Sequence, residues 1–395
     1  MNSRSCSSQE KSISGCQQVA GKFSDSDIKF MRLALREARR GIGRTSPNPC
    51  VGAVIVKDGD IIARGYHKKA GAPHAEVEAL KKAGERARGA TMYVTLEPCN
   101  HHGRTPPCSR AVAASGIKSV CIGMFDPNPL VSGSGAEFLH SQGIEVRHGL
   151  LEDQCRTLNR SFLTYITKGR PWVVLKAGLT LDGRITFRKD RADVITGPES
   201  LKWVHRLRDR CDGILVGSNT IAIDDPSLTT RIAGRRGQNP IRVVLDTNLK
   251  ISPQAKVVRQ NEDRRTWILC SPSAPSDKIR TLQEKGVEVI PTPVEKTGRL
   301  DLAEVLKLLA SRQITSVLVE GGATVHGAFL NAQLVDHLQF YYAPLIAGDS
   351  GTSVIQGFQV DGGPEQAVRL HNITHRRLDE DLMIAGDVDF PVHRE

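Results

Sequence analysis

The segment HAEVEALKKAGERARGATMYVTLEPC, residues 74–99, decides the fold. HAEVEALKKAG reads as a helix and TMYVTL as a strand, with Pro98-Cys99 where the strand ends. His74 and Glu76 lie two apart at the start of that helix, and Cys108 follows after eight intervening residues. Helix followed by strand, repeated outward in both directions, implies an α/β layered sheet.

Upstream, IKFMRLALREARRG sets Ile28, Met31, Leu35 and Ala38 at helical spacing, with Gly41 as its C-cap. The turn-rich TSPNP leads into VGAVIV, and KDGD separates that run from IIARGY, a hairpin. Downstream come the helix PPCSRAVAASG, the strand SVCIG, the helix GAEFLHSQG and the strand IEVRHG. LLEDQCRTLNRSFLTYITKGRP reads as one helix closed by Gly169 and Pro171, and the domain junction falls there. A second alternating series then runs from WVVLKAGLTLDG to HLQFYYAPLIAG. At 395 residues the chain exceeds what one core usually supports. The expected division is a disordered, Ser- and Gln-rich leader over 1–24, one domain over 25–170 and a second over 171–395.

The formal charge of +11 is uneven, with 25 Lys+Arg against 15 Asp+Glu in residues 1–170 and 29 against 28 beyond. A basic first half favours anionic partners, either nucleic acid or phosphorylated metabolites, and charge alone does not choose. Nine scattered cysteines form no disulfide framework, and no apolar run is long enough to span a bilayer. The leader lacks the apolar core of a secretory signal and the arginine bias of a transit peptide. The expectation is a cytoplasmic protein with no membrane partner.

His74, Cys99 and Cys108 are the residue types zinc prefers, and three protein ligands leave the fourth tetrahedral position open to water. Water on such a metal ionises near neutrality. Glu76, two residues from the histidine, is placed to move protons rather than to bind the metal. The bland alternative is a capping histidine with unrelated thiols; the Pro-Cys pair at a strand end favours one zinc per chain.

HAE, TLEPC and CNHHGRTPPC, with TSPNPCVG before and DPNP after, resemble the pyrimidine deaminases of riboflavin biosynthesis, whose usual second half is a reductase. That resemblance implies a cytidine-deaminase-like three-layer domain followed by a dihydrofolate-reductase-like α/β domain. It carries Asn48, His67, His101, Arg104, Asp126 and Asn128 over as contacts of a phosphorylated pyrimidine. Asn100 replaces the serine usual in that family, with little effect expected. Nucleic-acid deaminases typically place two residues between their cysteines, against eight here.

The second half has no GxGxxG fingerprint, so an ordinary Rossmann site is not expected. VEGGATVHG instead places Gly321, Gly322, Ala323 and Thr324 at a strand-to-helix turn, where backbone N–H groups can receive phosphate. KAGLTLDG, SNT, DDP and VEGG together resemble the riboflavin-pathway reductase. By that resemblance Gly178, Val194, Thr220, Asp224, Gly322, Ala323 and Thr324 line an NADPH site. Lys176, Ala192, Arg208, Leu228, Arg231 and Glu320 face substrate, the arginines suiting a ribose phosphate because guanidinium grips phosphate bidentately. Lys176 orients or polarises the sugar carbonyl in this reading, and a homo-oligomer is expected.

A competing reading is an RNA-modifying deaminase with a nucleic-acid module. The basic first half permits it; the cysteine spacing, a 5% aromatic content and the lack of any RNA-binding motif oppose it. The favoured expectation is therefore a small phosphorylated substrate and no nucleic acid.

Overall fold

A computed structural model describes residues 23–101, 106–128, 131–188, 191, 193–234 and 237–391. The expected leader lies almost wholly outside these residues. The chain divides into two compact units, one built from Cys50–Asn159 and the chain up to Gly41, the other from Ile42–Pro49 and Arg160–Glu395.

The first unit runs α1 (Asp25–Ala38), β1 (Gly52–Lys57), β2 (Asp60–Tyr66), α2 (Ala75–Ala83), β3 (Thr91–Val94), α3 (Cys108–Ala114), β4 (Ser119–Ile122), α4 (Ser134–Ser141), β5 (Glu145–His148) and α5 (Glu152–Leu158). The strands form one sheet in the order β2-β1-β3-β4-β5. β1 pairs antiparallel with β2 and β3, whereas β3, β4 and β5 are parallel, as the helical crossovers require. Ser24 and Asp27 close a capping box on α1. Asp27 is also held well below the usual carboxylate range, because hydrogen bonds from Arg147 and Tyr93 more than offset its burial.

The second unit contains α6 (Arg160–Lys168), β6 (Trp172–Thr180), α7 (Pro198–Arg208), β7 (Gly213–Gly217), α8 (Ser218–Asp224), β8 (Ile241–Leu245), α9 (Lys256–Arg259), β9 (Thr266–Cys270) and α10 (Ser276–Gln283). It continues with β10 (Glu288–Pro291), α11 (Leu302–Ser311), β11 (Ser316–Glu320), α12 (Ala323–Asn331), β12 (His337–Ala343), β13 (Arg369–Leu378) and β14 (Asp381–Asp389). The nine strands are ordered β10-β9-β8-β7-β11-β6-β12-β14-β13. Those from β10 to β12 are parallel, and the last two add antiparallel at one edge. Continuous apolar runs suit strands covered on both faces: Val173–Leu175, Ile214–Val216 and Val317–Val319 are fully buried.

Several elements differ from the sequence expectation, which did not include the edge strands β13 and β14. The helix read across 150–171 is broken at Asn159 into α5 and α6. The Asn159 side chain accepts the Cys50 N–H at 2.7 Å and donates to the Cys50 carbonyl at 3.1 Å, fixing the break. Gly41 does not cap α1; that helix ends at Ala38 and tightens into a 3₁₀ turn over Arg39–Gly41. No helix among the described residues is long and apolar enough to cross a membrane.

Candidate active sites

The first site is assembled by three neighbouring segments. His74 is the N-cap residue of α2, Cys99 follows the end of β3, and Cys108 opens α3. Gly65 allows α2 to come close: a Cβ there would stand 2.3 Å from the Ala75 carbonyl oxygen. The His74 Nδ1 lies 3.1 Å from the Cys108 Sγ and 3.6 Å from the Cys99 Sγ. These three ligand atoms fall within 4.8 Å of one another. A tetrahedral zinc with bonds of about 2.0–2.3 Å sets its ligand atoms roughly 3.5 Å apart, so the donor set fits that ion in type and spacing.

The electrostatics of the cluster suit a cation between the two thiols. A hydrogen bond from Cys108 holds the Cys99 thiol down to about 4 against its burial. Cys108 is pushed far up by the same neighbour, because two adjacent thiolates repel without a metal between them. Glu76 is buried, its pKa pushed up to about 7 by loss of solvent, and its Oε2 has no hydrogen-bond partner. A buried carboxylate oxygen without a partner is costly, so Glu76 suits a site that takes a bound water or substrate.

Around this cluster the structure gathers several of the expected substrate residues. His67 is buried, its ring edge-on to His74 with centroids 5.2 Å apart and its Nδ1 3.2 Å from the Pro73 carbonyl oxygen. Burial lowers its pKa, so a neutral ring donating Nδ1–H to Pro73 braces the segment before His74. Burial raises the Asp126 carboxyl, which accepts the Asn128 N–H at 2.9 Å. His101 is exposed. Asn48 lies in the segment Ile42–Pro49 and donates its backbone N–H to the Thr45 carbonyl at 2.8 Å. Arg104 lies outside the described residues. Asn100 donates to the Ser134 carbonyl at 3.2 Å and accepts the Ser109 hydroxyl at 2.8 Å.

The second site is a cavity of about 1300 Å³ over the carboxyl ends of β7, β8 and β11, where parallel sheets present ligand-binding loops. Lys176, Gly178, Val194, Arg208, Thr220, Asp224, Leu228, Glu320, Gly322, Ala323 and Thr324 all line it. Gly321 and Gly322 both hold φ near +85°, a conformation that turns β11 sharply into α12. At the cavity wall Glu320 accepts from Arg208 Nε and Nη2, both at 2.8 Å, with the Lys176 Nζ at 3.6 Å. Burial raises the Glu320 carboxyl, but Arg208 and Lys176 more than offset this and hold it at about 2. Lys176 is lowered, chiefly by its own burial.

Two sequence expectations look different in three dimensions. Arg208 is largely occupied, its third nitrogen donating to the Thr229 carbonyl at 3.1 Å. Arg231 is exposed and does not line the cavity. Its backbone N–H donates to the His205 Nδ1 at 3.2 Å, and burial with the nearby Arg208 holds His205 down at about 4, neutral and able to accept. Ala192 lies outside the described residues. Sequence reasoning missed His205, whose helix-face position resembles any packed residue, and Glu97, which is buried beside the Pro98-Cys99 turn.

Residues 24–124 match the cytidine and deoxycytidylate deaminase zinc-binding region, and residues 171–384 match the RibD C-terminal domain. The molecule is thus a two-domain enzyme of the deaminase and reductase class. It is 42% identical over 358 residues to the riboflavin biosynthesis protein RibD of Aquifex aeolicus, covering 91% of this chain and 97% of that one. The RibD of Bacillus amyloliquefaciens is 44% identical, with 83% and 87% covered. Among solved structures, Acinetobacter baumannii RibD superposes with a TM-score of 0.83 at 35% identity, covering 92% of this chain and 99% of the other. A Thermotoga maritima diaminohydroxyphosphoribosylaminopyrimidine deaminase/5-amino-6-(5-phosphoribosylamino)uracil reductase gives 0.80 at 38%, covering 93% and 99%. The chain belongs to the RibD family of riboflavin biosynthesis.

Proposed function

We propose that this chain deaminates 2,5-diamino-6-ribosylamino-4(3H)-pyrimidinone 5′-phosphate, using one zinc per chain, and then reduces the ribosyl group of the product to ribityl with NADPH. The observation that carries the first step is the His74, Cys99 and Cys108 cluster beside a buried Glu76 with an unpartnered oxygen. Zinc, when bound, makes water acidic enough to attack the ring at neutral pH. Glu76 would take one proton from that water and pass it to the ring nitrogen, then carry the hydroxyl proton of the resulting adduct to the amino group, which leaves as ammonia. His67 braces the His74 segment, and Asp126 and Asn128 hold the pyrimidine.

For the second step, NADPH supplies hydride to C1′ and the chain supplies orientation. Glycine-turned N–H groups at the start of α12 suit a cofactor phosphate. Lys176, 3.6 Å from Glu320, orients or polarises the sugar carbonyl in this reading. The phosphorylated substrate accounts for the basic first half without nucleic acid.

The test is a coupled assay following ammonia and absorbance at 340 nm. NADPH oxidation should depend on the diaminopyrimidine and follow ammonia release. Oxidation that proceeds equally well without it, or no ammonia from zinc-loaded protein, would overturn the reading.

A further inference from the structure

Glu97 takes no part in the chemistry above, yet it lies one residue before Pro98-Cys99 and is 5% exposed. Its carboxylate accepts four backbone N–H groups: Oε2 takes those of Asp126 at 3.2 Å and Gly133 at 3.0 Å, and Oε1 those of Gly135 at 2.9 Å and Ala136 at 3.1 Å. Two of these donors open α4, where an anion also meets the positive end of the helix dipole. The other two bracket the stretch that carries Asp126 and Asn128.

The same region is tied a second way. Asn100 bridges Ser134 at the start of α4 to Ser109 in α3. α4 presses so closely on the cysteine turn that a Cβ on Gly135 would stand 2.0 Å from the Pro98 carbonyl oxygen. The metal-site turn, the Asp126–Asn128 stretch and the start of α4 therefore share one anchor.

We propose that Glu97 is a positioning residue of the deaminase: it fixes the substrate-holding stretch at a set distance from the turn that carries Cys99. The proposal rests on the reading that Asp126 and Asn128 contact the pyrimidine. A carboxylate suits the task because both oxygens accept and neither donates. Glutamine of the same shape keeps one acceptor and turns an NH₂ toward two N–H groups, leaving buried donors without partners.

The experiment is Glu97→Gln in the full-length, zinc-loaded protein. The KM for the diaminopyrimidine should rise ~10-fold or more, the equivalent of about 1.4 kcal/mol. Zinc content, kcat to within ~3-fold, and reduction of pre-deaminated substrate should hold, since the ligands and the second unit keep their contacts. An unchanged KM overturns the proposal, as does zinc loss with a fall in kcat at constant KM. Should the variant not fold, amide hydrogen exchange on the unmodified protein decides: Gly133, Gly135 and Ala136 should exchange together and slowly, and rapid exchange at all three is contrary. Asp126→Ala tests the underlying reading separately, because an unchanged KM there removes the substrate role whatever Glu97 does.

Discussion

At the residue scale the deaminase site depends on one proton carrier and three ligands with separable consequences. Glu76→Gln keeps the volume and removes the exchangeable proton, so ammonia release should fall by ~10²-fold or more. Reduction of pre-deaminated substrate should stay near normal, and loss of both activities would show that the two sites are not separate. Cys99→Ser should drop zinc from about one per chain to a small fraction by metal analysis, because a neutral hydroxyl is a poor replacement for thiolate. Deaminase activity in a metal-free preparation would contradict the assignment. These residues were legible in the sequence because zinc restricts its ligands to few residue types and the Pro-Cys pair sits at a recognisable strand end. Glu97 was not, because its four partners are backbone N–H groups, which leave no mark on residue identity. The Arg208–Glu320 pair was half legible: both were expected at the reductase site, but 111 intervening residues hid that each occupies the other.

At the scale of elements, the position of α2 on β2 is set by a missing side chain. Gly65→Ala would place a methyl group 2.3 Å from the Ala75 carbonyl oxygen and 2.6 Å from the Ala79 nitrogen, both backbone atoms. α2 must then shift, at a cost of about 1–3 kcal/mol by analogy with overpacked cores. His74 and Glu76 move with it, so zinc affinity and ammonia release should both weaken while hydride transfer persists; an unaltered deaminase would show that α2 has slack. The parallel strands were readable from their apolar runs, and all were found; the antiparallel edge strands β13 and β14 were not. Most of β13 is exposed, and its sequence, RLHNITHRRL, lacks alternation of apolar and polar residues. The break between α5 and α6 escaped notice for a related reason: it depends on Asn159 bonding to Cys50, a partner 109 residues away.

At the scale of the whole molecule, acid should affect the second unit through Glu320. Despite burial, Arg208 and Lys176 hold its carboxyl at about 2 in the folded protein, against about 4.3 when unfolded. A depressed value means the stabilisation is complete above the unfolded pKa and fades as pH falls from about 4 toward 2. The reductase melting temperature should fall steeply over that window. Glu320→Gln leaves Arg208 and Lys176 buried without their anion, so it should melt lower at pH 7 but show a shallower acid slope. An equally steep slope in the variant would point to other carboxylates, such as Asp387, also held near 2 by His337 and Arg160 against its burial.

The passage of Ile42–Pro49 through the second unit bears on modularity. Arg44 in that short stretch donates to the Asp209 side chain at 2.8 Å and to its carbonyl at 3.0 Å, one residue after the Arg208 that secures Glu320. A splice at Gly169 therefore yields a reductase half stripped of a strap encoded some 120 residues upstream. Chimaeras that exchange the two catalytic halves should tolerate three junctions, near positions 41, 50 and 159, better than one. In this protein the two enzymes are interleaved along the gene rather than placed end to end.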